Sequence, residues 1–303
     1  MPALKERLDG RILALETLNP WTNLYGLARS LLALGPLLTL TVTSTDTLFH
    51  PVRILDSPRC DGPAEFISLF CVLPLGFARA VAVAVLVLVV VGWRPRWTAI
   101  PHWLISFGVQ ASISLPEGGD QAASNLALLL LPVALTDRRR THWSPPDRDL
   151  RPVASFAANV GLFLVRVQVM VIYLQAFIAK LFVPEWVDGT AVWYWLTDPN
   201  FGPPGIRRTV ALTVASTPLG ITLLTWGTLV VEALLAFGFL ATAKTRYGLL
   251  VVGILFHGLI AAAMGLVSFT VVMWGALLLY LWPRSDRPSI PLQCLVRRKE
   301  HQT

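Results

Sequence analysis

Charge is what this sequence has least of. Only 14% of its 303 residues are Asp, Glu, Lys or Arg, against about 25% in an ordinary soluble domain. Hydrophobic residues make up 54% and the mean hydropathy is +0.61. No polar block is long enough for a separate soluble domain, so a soluble enzyme is excluded. Carboxylates are scarcer than cations, 18 against 25. The resulting charge of +7 is explained by loop arginines that orient membrane spans, and no nucleic-acid partner is expected. Cysteine is nearly absent. Cys60, Cys71 and Cys294 make neither a disulfide scaffold nor a metal site, although Cys60 and Cys71 leave open a structural disulfide or, less simply, a redox pair. Walker A, His-Glu-x-x-His, Gly-x-Ser-x-Gly and zinc-ligand spacings are missing, so no metal is expected. There is no internal repeat, which argues against a transporter built from repeated halves.

What is present is a series of long apolar runs. Residues 2–18 place Leu4, Leu8, Ile12 and Leu15 on one helical stripe with charges opposite, which suits a helix lying on a membrane surface. Eight spans follow, at about 22–42, 66–91, 100–115, 121–135, 155–183, 219–241, 248–263 and 266–282. The third and fourth are shorter than the roughly 20 residues of a perpendicular span. Residues 184–218 carry Pro, Gly and Trp and are expected to fold against the membrane surface. The expected organisation is a surface helix over residues 1–18, a transmembrane domain over 19–283 and a basic tail over 284–303. With both termini cytoplasmic, seventeen of the 25 Lys and Arg residues fall inside and four outside, a strong positive-inside bias. The fold class is therefore an all-α, polytopic helix bundle of about eight transmembrane helices, set in the lipid bilayer of a bacterial cell membrane.

Ionisable groups within apolar spans are costly and usually face a bundle interior or cavity. Arg29, Arg79, Arg166, Lys180, Glu232 and His257 are of this kind, and Glu232 is the single carboxylate among them. Counting residues from the span ends puts Arg29, Arg166, Glu232 and His257 in one layer. Two readings stand: a structural Arg–Glu–Arg cluster, or a cavity in which Arg29 and Arg166 hold an anionic group and Glu232 orients them. His257 is either a satisfied buried histidine or a catalytic one. In the fifth span Arg166, Tyr173 and Lys180 are spaced seven and seven, which returns each to nearly one face. Gln168 and Gln175 mark the opposite side, so this helix is expected to be central. Lys180 either snorkels to the interface or, beneath the segment holding Trp186 and Trp193, serves as a base whose charged form is disfavoured by burial and nearby cations.

At Lys180 the residues take on a family likeness. IAKLFVPEWVDGTAVWYWL (residues 178–196) resembles the lysine-then-Trp-x-x-Gly signature of the HTTM (horizontally transferred transmembrane) domain shared with vitamin K-dependent γ-glutamyl carboxylases. LLLLPVALTDRRRTHW (128–143) is similar to the family's span ending in an acidic-basic turn. NPWTNLYGLARSLLAL (19–34), with Arg29, resembles its first span. Together with GGDQAASNLALLLLP (118–132), these look closest to the sporulation-delaying SdpB branch. The resemblance covers about residues 18–283. It implies Lys180 as the catalytic base, a quinol cofactor related to vitamin K, and an outward-facing polar cavity. Where the family has Asn-His before span four, this chain has Gly119-Asp120, so Asp120 is the expected substitute. Lys180, Asp120 and His257 are thus the candidate catalytic residues, and Arg29, Arg166, Tyr173, Gln175, Glu232 and Trp186 the candidate cofactor-binding ones. The branch implies maturation of an exported peptide toxin or antimicrobial peptide, with a small SdpA-like partner protein, rather than glutamate carboxylation. A non-catalytic membrane scaffold or export factor is the alternative.

Overall fold

A computed structural model gives the fold and describes residues 18–50, 58–145, 151–199 and 202–282. The expected surface helix, save its last residue, and the basic tail lie outside the described residues. Among the described residues every regular element is helical, apart from an isolated bridge between Trp93 and Thr141. The main helices are α1 (Asn23–Val42), α2 (Leu75–Val90), α3 (Pro95–Ser112), α4 (Gly118–Leu129), α5 (Leu131–Thr136), α6 (Pro152–Lys180), α7 (Ile206–Ala215), α8 (Pro218–Phe237), α9 (Ala243–Met264) and α10 (Val267–Leu281).

Local chemistry sets their ends. Thr22, Thr217 and Thr242 cap α1, α8 and α9, each hydroxyl accepting from the amide three residues on. Prolines open α3, α6 and α8, where the missing N–H costs nothing. That start lengthens α3 to 18 residues, so it is not the short span expected from residue 100. The second expected span is broken: helical turns at Ala64–Ile67 and Leu69–Val72 precede Pro74, and α2 begins only after it. The fourth is α4 and α5 joined at Leu130, with Pro132 in the first turn of α5. Gly265, at φ +81°, ends α9 and lets the chain reverse into α10, a conformation that favours glycine.

Four segments are long and apolar enough to cross a membrane: Asn23–Val42, Pro152–Lys180, Pro218–Leu240 and Ala243–Met264. α2 and α10 are apolar but shorter. The helices run up and down. At one end Trp21 donates to Val133 O near the close of α5 (3.1 Å), Ser30 of α1 to Val90 O closing α2 (2.7 Å), and Asn159 of α6 to Leu18 O (2.8 Å). At the other, Arg79 of α2 donates to Thr43 O beyond α1 (2.8 Å), and Ser268 of α10 donates to Glu117, the cap of α4. We call the first the arginine end and the second the Lys180 end. Cys60 and Cys71 are joined by a disulfide at the Lys180 end, where Cys71 lies beside Ser112 at the close of α3.

The core lies around α10, which is buried on nearly all sides from Thr270 to Leu281. Its closest neighbour is α1. A Cβ on Gly275 would stand 2.9 Å from Ala28 O, and one on Gly35 would strike Val272. Small residues that let backbones approach are how apolar helices associate where lipid is as apolar as leucine. α2 and α3 pack on one flank of α1, while α4, α6 and α9 gather around α10 and α8 packs on α6. The expectation that the fifth span is central is thereby corrected. α6 buries one stripe, from Ser155 through Val165 and Val169 to Tyr173. Phe163, Val171, Gln175 and Ile178 are exposed on its outside.

Gly275→Leu is expected to overpack the α1–α10 contact at a cost of about 1–3 kcal/mol or more. Thermal melting of the purified protein in detergent should show a clearly lowered midpoint. Gly227→Leu, at a helix position with open space around it, should melt close to the wild type.

Candidate functional site

Lys180 is the last residue of α6. Helical side chains lean toward their own N-terminus, and Lys180 follows, with Nζ 3.4 Å from Ala176 O. Its ammonium lies 2.8 Å from Glu232 Oε1 on α8 and 5.1 Å from the centre of the Trp186 ring, within the range of a cation–π contact. Trp186 is brought there by a helical turn, Pro184–Val187, opened by Pro184. Gly189, at φ +86°, then turns the chain into the helical segment Ala191–Thr197. α8 pins this cover from below: Trp226 Nε1 donates to Val187 O (3.2 Å), and Thr225 Oγ1 accepts from Val192 N (3.3 Å).

Two turns back along α6, Tyr173 is buried with its hydroxyl 2.8 Å from His257 Nε2 on α9. The His257 carbonyl accepts from Thr270 Oγ1 of α10 (2.9 Å), and Phe269 sets its ring edge-on to the imidazole at 5.3 Å. Tyr173 and Lys180 lie on one side of α6, and α9 and α8 bring His257 and Glu232 to that side, so the two pairs share one neighbourhood. Two buried polar atoms in it, Glu232 Oε2 and His257 Nδ1, have no hydrogen-bond partner among the described residues. The cluster thus has an amine and a carboxylate in proton-exchange distance, a phenol–imidazole pair beneath them, and two open hydrogen-bonding positions.

The layer anticipated from residue counting comes apart, for one physical reason. α1 and α6 start at the arginine end, so Arg29 and Arg166 lean that way; α8 starts at the other end, so Glu232 leans toward Lys180. Arg29 Nη2 donates to Thr98 Oγ1 in the first turn of α3 (3.0 Å). Arg166 donates to Leu279 O (3.2 Å) and Trp282 O (2.7 Å) at the end of α10, where carbonyls lack helical partners and a cation is favoured. The ion pair expected for Glu232 with an arginine is therefore made with Lys180, and the neighbour of Lys180 is an anion, not the expected cations.

Asp120 belongs to the N-terminus of α4, where its Oδ2 accepts from Glu117 N (3.1 Å) in a capping box. Glu117 itself is pushed above the usual carboxylate range by burial, opposed by its bond from Ser268. Gln175 is exposed on the outside of α6. The structure hence joins Lys180, Glu232, Trp186, Tyr173 and His257, and leaves Arg29, Arg166, Asp120 and Gln175 elsewhere. Residue reading missed Thr225, Phe269 and Thr270. A signal existed for the first: Thr225, Leu229 and Glu232 are spaced four and three and form the buried stripe of α8.

A second polar region lies at the arginine end. Asp137 and Arg139 form a buried ion pair (2.8 Å), and Arg139 Nη1 also donates to His142 O (3.0 Å) and Ser144 O (2.9 Å). His142 Nε2 stands 3.1 Å from Ser30 Oγ. Burial, with Arg29 and Arg139 nearby, lowers the His142 imidazole to about 3, so it is neutral at ordinary pH.

No protein-family model matches the chain, and no solved structure matches it. Two proteins of Bacillus subtilis (strain 168) are similar to it. It is 39% identical to the uncharacterised protein YitO over 272 residues, 88% of this chain and 87% of YitO. It is 36% identical to the sporulation-delaying protein SdpB over 285 residues, 91% of this chain and 85% of SdpB.

Removing one partner of a buried ion pair costs about 3–5 kcal/mol. The side chain of Lys180 keeps 22% exposure, which places Lys180→Met and Glu232→Leu at the lower end of that range. Because each single change strands the other charge, the double variant should recover part of the loss. Denaturation of all four proteins should give a coupling of about 1–3 kcal/mol; simple additivity would show that the pair contributes no interaction.

Proposed function

The chain belongs to the family of the sporulation-delaying protein SdpB, and from that premise we propose that it is a membrane factor in the maturation of an exported peptide toxin. The observation that carries this reading is the Lys180–Glu232 pair under Trp186, a pair of opposite charges held at a helix end among apolar spans. We place the Lys180 end on the outer side of the cell membrane and both chain termini in the cytoplasm. Supporting that orientation, the Cys60–Cys71 disulfide shares the Lys180 end, and disulfides persist in oxidising compartments. Loop arginines gather at the opposite end.

In this reading Lys180 first passes its ammonium proton to Glu232, 2.8 Å away, and the neutral amine then acts as the base toward the peptide. Trp186 closes the site above, and Tyr173–His257 takes up or returns a proton beneath. Asp120 acts through the shape of α4. A small SdpA-like protein is proposed as partner. The residues also fit a quinol cofactor: Glu232 Oε2 and His257 Nδ1 are buried and unpartnered among the described residues, and suit two hydroxyl groups, with Trp186 and Phe269 as apolar walls. A bound quinol would supply acidic hydroxyls and reducing equivalents.

The second reading is a non-catalytic scaffold, favoured by the way Arg166 is spent on capping α10. Lys180→Arg and Lys180→Ala separate the two. Lys180→Arg retains a cation for Glu232, so it should fold normally yet lose most of the mature peptide, read by mass spectrometry of the exported product. Normal product from both variants, at wild-type protein levels, would establish the scaffold.

A further inference from the structure

The arginine end holds a feature that the proposed maturation site does not use. Arg94, Arg96, Trp97, Asp137, Arg138 and Arg139 line a pocket of about 110 Å³. It forms where the turn between α2 and α3 meets the loop after α5. Arg94 N donates to Arg140 O (2.9 Å) and His142 N to Gly92 O (3.1 Å), flanking the bridge between Trp93 and Thr141. These bonds clasp the two loops together. Arg94 is held at φ +40°, the one non-glycine residue with positive φ among the described residues, a conformation sustained only when its surroundings over-determine it. The pocket is therefore a built junction rather than a chance gap between loops.

Its charge is unbalanced. The carboxylate of Asp137 is committed to Arg139, accepting from Arg139 Nε (2.9 Å), Nη2 (2.8 Å) and the Arg139 amide (3.1 Å). That pair is neutral and buried. Arg94, Arg96 and Arg138 are exposed, and the two ion pairs among the described residues include none of them. Three guanidinium groups around one pocket, without an ion-pair partner among the described residues, call for an anion with several acceptor oxygens, which their forked donors match.

The rim identifies which anion. Trp97 is 70% exposed and Trp93 47%, and Trp143 stands beside them with its Nε1 donating to Val91 O (3.1 Å). Exposed indoles at the ends of apolar helices sit at headgroup depth, where one end of the ring is apolar and the other wet. A soluble phosphate compound has no use for such a rim; a phospholipid does, because its chains lie along the same apolar helices. We propose that this pocket binds the phosphate headgroup of an anionic phospholipid, with Arg94, Arg96 and Arg138 on the phosphate and Trp93 and Trp97 against the glycerol and upper acyl region.

The test uses the full-length protein in nanodiscs or mixed micelles, comparing phosphatidylglycerol with phosphatidylcholine by native mass spectrometry. Wild-type protein should bind phosphatidylglycerol well over phosphatidylcholine. At about 1 kcal/mol per basic residue, the Arg94→Gln, Arg96→Gln, Arg138→Gln triple variant should bind it about a hundredfold more weakly, with phosphatidylcholine binding unchanged. An Arg207→Gln, Arg208→Gln variant, altered at the opposite end of the bundle, should bind as the wild type does. Equal binding of the two lipids by wild-type protein would overturn the proposal without any variant, so a misfolded triple variant leaves it testable. An unchanged triple variant would overturn it too, as would displacement of phosphatidylglycerol by millimolar inorganic phosphate or glycerol phosphate, which would mark a soluble-anion site. None of these outcomes bears on the Lys180 site.

Discussion

A polar group inside an apolar bundle must find a partner, because lipid and packed side chains offer it nothing. That constraint organises this molecule more than any one contact. Several of the buried ionisable side chains resolve it in different ways. Arg166 closes the open carbonyls of α10. Arg29 reaches a threonine in the first turn of α3. Asp137 and Arg139 neutralise each other and tie down a loop. Glu232 and Lys180 pair across α6 and α8. The helix ends matter in this list because they are where backbone groups lack partners, so charges drift toward them and away from the middle of the bundle.

The Lys180 end differs from the arginine end in where its ion pair sits: between two helices under a tryptophan rather than within one loop. At the arginine end Asp137 and Arg139 neutralise each other within a loop and exposed guanidinium groups surround the rim, while Tyr25 Oη, Arg29 Nη1 and His142 Nδ1 are buried without a hydrogen-bond partner among the described residues. At the Lys180 end a carboxylate oxygen and an imidazole nitrogen stay unbonded among the described residues, beneath a tryptophan-covered ion pair. A cluster with open hydrogen-bonding positions costs stability unless a ligand uses them. The two ends accordingly carry different proposals: chemistry on a peptide at one, lipid contact at the other.

Parts of the site are legible in the amino-acid sequence. The seven-residue spacing of Tyr173 and Lys180 does put both on one side of α6, facing α8 and α9, and the Trp186 segment does fold over Lys180. Glu232 stands out as the single carboxylate within a span. What fails is the pairing. Counting residues along spans treats a side chain as lying level with its Cα, whereas helical side chains lean by about a turn toward the N-terminus. In antiparallel helices those leans oppose, so Arg166 and Glu232 diverge while Lys180 and Glu232 converge. The central position expected for α6 fails similarly: its polar residues need neither water nor protein on both sides, since Arg166 is satisfied by carbonyls and Gln175 is exposed.

By itself the sequence determined that the chain is helical and built of apolar spans, where most of its helices begin and end within a few residues, and which few residues carry chemistry. Those follow from local properties: side-chain hydropathy, proline and threonine at helix starts, glycine at a turn. Only the tertiary structure decided that α10 rather than α6 is central, that the glycines of α1 and α10 bring those helices together, and that Lys180 answers to Glu232. These depend on how helices from distant parts of the chain are placed and which way each one runs. No local pattern encodes that, because the same leaning side chain meets different partners in each arrangement.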